Sequence, residues 1–388
     1  MMDFNYSEKL KKLPPYLFVE IDRKKKAAIE RGVDIISLGV GDPDQPTPAH
    51  IIKAGRDALA KPENHQYPFG AGKKSFRQAV ANWYKSRFHV ELDWETEVCS
   101  LLGSKEGIGH FHLAFINPGD VVLVPEPGYP VYNTGTIFSD GKAHFMPLLE
   151  RNGFLPDLSA IPEDICKKAK IMFLNYPNNP TAAVAGVEFY KKVVDFAKKY
   201  NIIAAHDAAY SEIYYDKKAV SFLEAPGAMD VGVEFHSLSK TYNMTGWRIG
   251  MACGNKTIVK GLSGVKDNYD SGVFGAVQDA GIAALEGPQD CVENMRRLYR
   301  ARRDVLVDGL AKLGWNVRKP EASFYVWAHT PKGYSSQGAV AKLLDEAGIV
   351  CTPGNGLGAS GEGFVRFALT VDVPRITEAL GRISRLKW

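Results

Sequence analysis

The chain has 388 residues, 45% hydrophobic and 24% charged, and its 48 basic and 44 acidic side chains leave a formal net charge of +4. That length and apolar content support a large core, in two domains or one large domain with an appendage, while interspersed charges without a basic stripe argue against a nucleic-acid partner. Five scattered cysteines, Cys99, Cys166, Cys253, Cys291 and Cys351, argue against a disulfide framework and a structural zinc, and point to a reducing cytoplasm.

In chain order, the opening MMDFNYSEKLKKLPPY is too polar for a signal peptide, and no apolar run approaches the length of a membrane span. Residues 1–45 hold too few apolar positions to fold alone and are expected to pack on a smaller domain or across a subunit interface. Over residues 46–284, short apolar runs alternate with longer helical patterns, the mark of βα units feeding a mostly parallel sheet. Strands are expected at 121–124, 143–147, 170–175, 202–206, 233–237 and 249–253. Helices are expected between them, for example at 104–116, opened by a serine that fits a cap, and at 187–200, closed by a lysine pair. Glycine and proline cluster after two strands, in PEPGYP (125–130) and NYPNNPT (175–181), and in an open α/β sheet those carboxyl-end loops are where ligands bind. Residues 285–388 read as a smaller α+β domain, with helices near 288–312 and 337–347 and strands at 323–328, around Val350 and at 364–369.

The segment HSLSKTYNMTGWRIG (236–250) sets a lysine, serines and an arginine in a polar loop between two strands. An enzyme using pyridoxal phosphate needs a lysine amine for the aldehyde, and hydroxyls, amides and a guanidinium for the dianionic phosphate. Lys240 fits the first role, and Ser237, Ser239 and Arg248 the second. S-x-S-K alone is weak, since a loop lysine is more often simply solvated; the longer string is more specific.

With its lysine followed eight positions later by an arginine, this segment resembles the fold-type I, class I and II aminotransferases. The resemblance implies a large pyridoxal phosphate-binding domain with a mostly parallel sheet, small amino-acid and keto-acid substrates, and a homodimer with shared active sites. By the same resemblance Asp207 in AAHDAAYSEI pairs with the cofactor's ring nitrogen, and Tyr210 and Asn179 hydrogen-bond its phenolic oxygen. Ser104 and Lys105 in LLGSKEGI lie at a helix start suited to phosphate, Tyr129 in EPGYPVY stacks on the ring, and Arg366 in GFVRFAL forks the substrate's α-carboxylate. Tyr67 in HQYPFGAG resembles the tyrosine that reaches the neighbouring subunit's phosphate. The resemblance implies that Lys240, Asp207 and Tyr210 form the catalytic set, with Lys240 moving the α-proton.

The likeness spans the chain and is nearest to the LL-diaminopimelate aminotransferases, which implies that Tyr16, Gly41, Lys105, Asn179 and Arg366 line the substrate side. Two departures stand out. Ala182 replaces the usual glycine after Asn179-Pro180-Thr181. The stretch from Tyr67 to Gly72 has no carboxylate for a distal ammonium, which leaves that contact to Glu20, Asp22 or another acid, or else points to a substrate without a distal amine. Alternatives are an aminotransferase for alanine, aspartate or aromatic substrates, a pyridoxal phosphate C–S lyase, and a ligand sensor on the same fold. No metal is expected: His110, His112, His206 and the glycine-rich 354–363 read as structural.

Overall fold

The computed structural model describes residues 4–14, 17–68 and 70–388. Their strands are β1 (Ile36–Ser37), β2 (Val98–Leu101), β3 (Val121–Glu126), β4 (Lys142–Pro147), β5 (Ala169–Asn175), β6 (Ile203–Asp207), β7 (Gly232–Ser237), β8 (Gly250–Gly254), β9 (Tyr325–His329), β10 (Ile349–Val350), β11 (Thr352–Pro353) and β12 (Phe364–Ala368). Seven of them form one sheet in the order β2-β8-β7-β6-β5-β3-β4. Every pair from β7 through β4 is parallel, and only β8 runs against both of its neighbours. The mostly parallel sheet expected from the alternating pattern is present.

Burial on both faces explains the near-continuous apolar strands. In β5, Met172 and Leu174 enter one core with Phe76, Tyr84 and Val193, while Ile171 and Phe173 enter another with Ile108 and Phe111. This is the two-residue period of a strand covered on both sides. Helices Lys74–Phe88, Val187–Tyr200 and Gly275–Glu286 supply the first core, and Ser104–Phe115 and Lys256–Tyr269 the second. The helix at 187–200 has the expected bounds, and Asn201 stops it in the left-handed region at φ 56°.

A separate core joins the antiparallel trio β11-β12-β9 to helices Asp290–Lys312, Ser336–Ala347 and Val373–Ile383. Ile36 and Leu38 are buried in it, because β1 pairs in parallel with β10. Farther upstream, Lys9 Nζ instead donates to Phe138 O at 3.0 Å, beside the large sheet. The strand expected at 323–328 begins later, at Tyr325, because Ser323 turns the chain through φ 61°. No helix among the described residues is long and apolar enough to cross a membrane.

Candidate functional site

Parallel strands β5, β6 and β7 end side by side, with Asn175 opposite Asp207 and Asp207 opposite Phe235. Beyond those ends lies a cavity of about 340 Å³, lined by Gly41, Ser104, Lys105, Tyr129, Asn179, Asp207, Tyr210, Ser237, Ser239, Lys240 and Arg248. All eleven are sequence candidates. Val40, Asn175, Ala209, Thr245 and Tyr325 complete the wall.

Lys240 does not sit in an open loop. Residues Leu238–Thr241 form a helical turn whose cap, Ser237, accepts a hydrogen bond from Ser239 N. The turn carries Lys240 to the cavity, where its Nζ donates to Gly41 O at 2.8 Å. Burial pulls its pKa down to about 8, and the nearby positive charges of Arg248 and Arg366 act in the same direction against Asp42.

Arg248 has φ 55°, and its guanidinium donates to Thr245 O at 2.8 Å and Leu102 O at 3.2 Å. Its proximity explains Gly103: a Cβ there would collide with the guanidinium, and φ is 83°. Ser104, expected as a helix cap, is the first helical residue, and Gly103 holds the cap position without a side-chain bond. The hydroxyl is therefore not spent on capping. Open amides at a helix start, two further serines and an arginine make an anion site.

Asp207 is buried with one oxygen, Oδ2, accepting from Tyr132 Oη at 2.8 Å and the other, Oδ1, from Ala209 N at 3.3 Å. Burial raises its pKa, and the Tyr132 bond is the largest influence opposing that rise. Tyr210 Oη lies 3.0 Å from Tyr325 Oη. Arg366 is 0% exposed on β12; Nη1 donates to Asn179 Oδ1 at 2.7 Å, and Nη2 to Gly39 O at 2.6 Å and Thr352 Oγ1 at 3.2 Å. Its guanidinium lies 4.3 Å from the Tyr325 ring centre. Arg366 thus backs the wall formed by Asn179 and Tyr325.

Tyr67 is 75% exposed and outside the cavity. Tyr16 lies outside the described residues. Glu20 and Asp22, suggested as acids for a distal ammonium, pair instead with Arg23 and Lys26 on the solvent side of helix Leu17–Glu30, away from the cavity. His112 is buried and held neutral, its pKa pushed down to about 4 by burial, and His206 donates within a buried cluster around Glu234. His110 joins Glu106 and Asp270, but Lys266 Nζ already neutralises both acids, at 3.1 and 3.0 Å. The glycine-rich 354–363 folds into 3-10 turns.

Sequence reasoning missed Tyr132 and Tyr325. Tyr132 had a signal, lying one helical turn after Tyr129; Tyr325, on a strand of the other core, had none nearby.

The model of the family "Aminotransferase class I and II" matches residues 33–383. An LL-diaminopimelate aminotransferase of Aquifex aeolicus is 60% identical over 385 residues, 99% of this chain and 100% of that protein. One from Syntrophobacter fumaroxidans is 57% identical, covering all of both chains. Among solved structures, substrate-bound BacF from Bacillus subtilis superposes with a TM-score of 0.96 at 39% identity, covering 99% of this chain and 98% of that one. A Thermus thermophilus aspartate aminotransferase mutant gives 0.92 at 29% identity, covering 99% and 100%.

Proposed function

Because the chain belongs to the class I and II aminotransferase family, we propose that it is a pyridoxal phosphate-dependent LL-diaminopimelate aminotransferase, converting tetrahydrodipicolinate to LL-diaminopimelate with glutamate as amino donor. The observation that carries this reading is the convergence of Lys240, Asp207 and Arg248 in one cavity, with Arg366 directly behind its wall.

The residues fit the cofactor. Ser104, Ser237, Ser239 and Arg248 supply the donors a phosphate requires. Across the same space Asp207 offers a buried carboxylate with no cationic side chain bonded to it among the described residues, suited to a protonated ring nitrogen. Bound there, pyridoxal phosphate would supply an electron sink for the negative charge that develops at the substrate's α-carbon.

The remaining work belongs to the chain. Arg366 would take the substrate's α-carboxylate from a direction already set by Asn179, Gly39 and Thr352. Lys240, once its amine is free, would remove the α-proton and return it, a role that suits an amine whose pKa is near 8. Gly41 O is an acceptor within reach of that amine. Tyr129 and Tyr210 would fix the ring by contact and hydrogen bond. We also read the protein as a cytoplasmic homodimer: the five thiols are free, and exposed Tyr67 fits a role at a partner's site.

The test mixes the purified, cofactor-loaded protein separately with LL-diaminopimelate, glutamate, alanine, aspartate and phenylalanine and follows the visible spectrum. A shift with LL-diaminopimelate and glutamate is expected. Silence with LL-diaminopimelate would overturn the substrate but not the reaction class.

A further inference from the structure

The stretch from Tyr67 to Gly72 contains no carboxylate, yet folding brings one to it. Asp267, near the end of helix Lys256–Tyr269, accepts a hydrogen bond from Gly70 N at 3.1 Å. Gly70 has φ 74°, a conformation that favours glycine, and it points its amide at the acid. An acid 197 positions away in sequence therefore stands where the local sequence offers none.

Two features, its lack of an ion pair and its exposure, separate Asp267 from its acidic neighbours Asp270 and Glu106, and a third, a backbone donor at one oxygen, it shares with them. Asp270 and Glu106 are already paired with the buried ammonium of Lys266, whereas Asp267 makes no ion pair among the described residues. It is exposed, as are Asn268 and Tyr269 beside it and Tyr67 on the facing loop. It is also held at one oxygen by a backbone donor, so aiming it at a ligand costs less side-chain entropy than aiming a free surface acid. A carboxylate that is exposed, oriented and lacks a cationic partner is what an alkylammonium ligand requires. None of these residues lines the chain's own cavity.

We propose that Asp267 binds the distal ammonium of LL-diaminopimelate in the active site of a second copy of the chain, entering it beside Tyr67. This rests on the substrate and dimer reading above and names the group that distinguishes a diamino substrate from glutamate. The rival on the same chain is Asp42, which is exposed next to Gly41 and close enough to influence Lys240.

Steady-state kinetics of the loaded homodimer test it. Asp267→Asn should raise KM for LL-diaminopimelate roughly 10- to 100-fold, the range for losing a hydrogen bond to a charged group, and leave KM for glutamate within about threefold. Asp42→Asn should not reproduce that selective loss. A mixed dimer of Asp267→Asn and Lys240→Ala chains locates the contact: one of its sites keeps Lys240 and receives an intact Asp267 only if the residue acts across the interface, so that dimer should show normal KM for LL-diaminopimelate. Three results overturn the proposal: an unchanged KM in Asp267→Asn, equal losses for both substrates, or a mixed dimer as impaired as Asp267→Asn. If the unmodified protein does not turn over LL-diaminopimelate at all, the substrate reading has failed first and takes this inference with it.

Discussion

Tyr132 Oη donates to Asp207 Oδ2 at 2.8 Å, and both residues are buried. The phenol stays a donor, because burial and the adjacent carboxylate raise its pKa well above the usual tyrosine value. Its ring stacks on Phe173 at 5.0 Å and packs against Tyr129. Tyr132→Phe keeps the ring and removes only the donor. It should lower kcat about 10- to 100-fold with KM changed little, given the strength of a hydrogen bond to a charged group. In an Asp207→Asn background the same substitution should cost almost nothing further, which a double-mutant cycle measures.

Gly41→Ala should damage the site without unfolding the protein. A Cβ at position 41 collides with the Tyr325 hydroxyl, which is hydrogen-bonded to Tyr210. Displacing that pair by about an ångström should lower kcat/KM on the order of 100-fold, with an unchanged circular dichroism spectrum as the control.

Arg366→Lys should raise KM for both amino-acid substrates at least about tenfold, since an ammonium cannot present the two-pronged donor of a guanidinium. Asn179→Ala should produce a smaller change in the same direction, because it removes one support of the fork at 2.7 Å but leaves Gly39 and Thr352.

The pH response of Lys240 follows from its lowered pKa. Only the neutral amine attacks an aldehyde, and the amine is protonated below about pH 8. Reaction of cofactor-free protein with pyridoxal phosphate should therefore accelerate about tenfold per pH unit at acid pH and level off above pH 8. Stopped-flow absorbance measures this; a rate still climbing steeply at pH 10 would contradict the assignment.

Glu234 anchors the sheet beneath the site. Its carboxylate is fully buried and accepts from His206, His236, Tyr84, Ser221 and Phe222 N at 2.7 to 2.9 Å. Burial acts to raise its pKa, but the histidine and other donors outweigh it and leave the group well below its ordinary value. A lowered folded-state pKa means that this contribution is present above the unfolded value, near 4.5, and is lost as pH falls through the folded one. Glu234→Ala should destabilise by about 3–5 kcal/mol, the cost of breaking a buried charged network, and calorimetry should show that deficit near neutral pH and less of it in acid.

Much of this protein was legible along the chain. The parallel sheet follows from alternating runs that must be apolar on both faces, and eleven of the expected site residues do line one cavity. They could be read because the loops that follow parallel strands wall the space at the strand ends, so NYPNNPT, AAHDAAYSEI and HSLSKTYNMTGWRIG each kept their cavity-lining residues close together in sequence.

What only the tertiary structure decided are the contacts between segments far apart in sequence. Tyr132 reaches Asp207 across 75 positions, Tyr325 reaches Tyr210 across 115, and Asp267 reaches Gly70 across 197. A strand or helix pattern records which face of an element is buried, not which element covers it. The sequence by itself therefore determined the residues that line the cavity and the sheet that carries them. Packing between elements determined which side chains orient those residues, and where a carboxylate stands beside a loop that carries none.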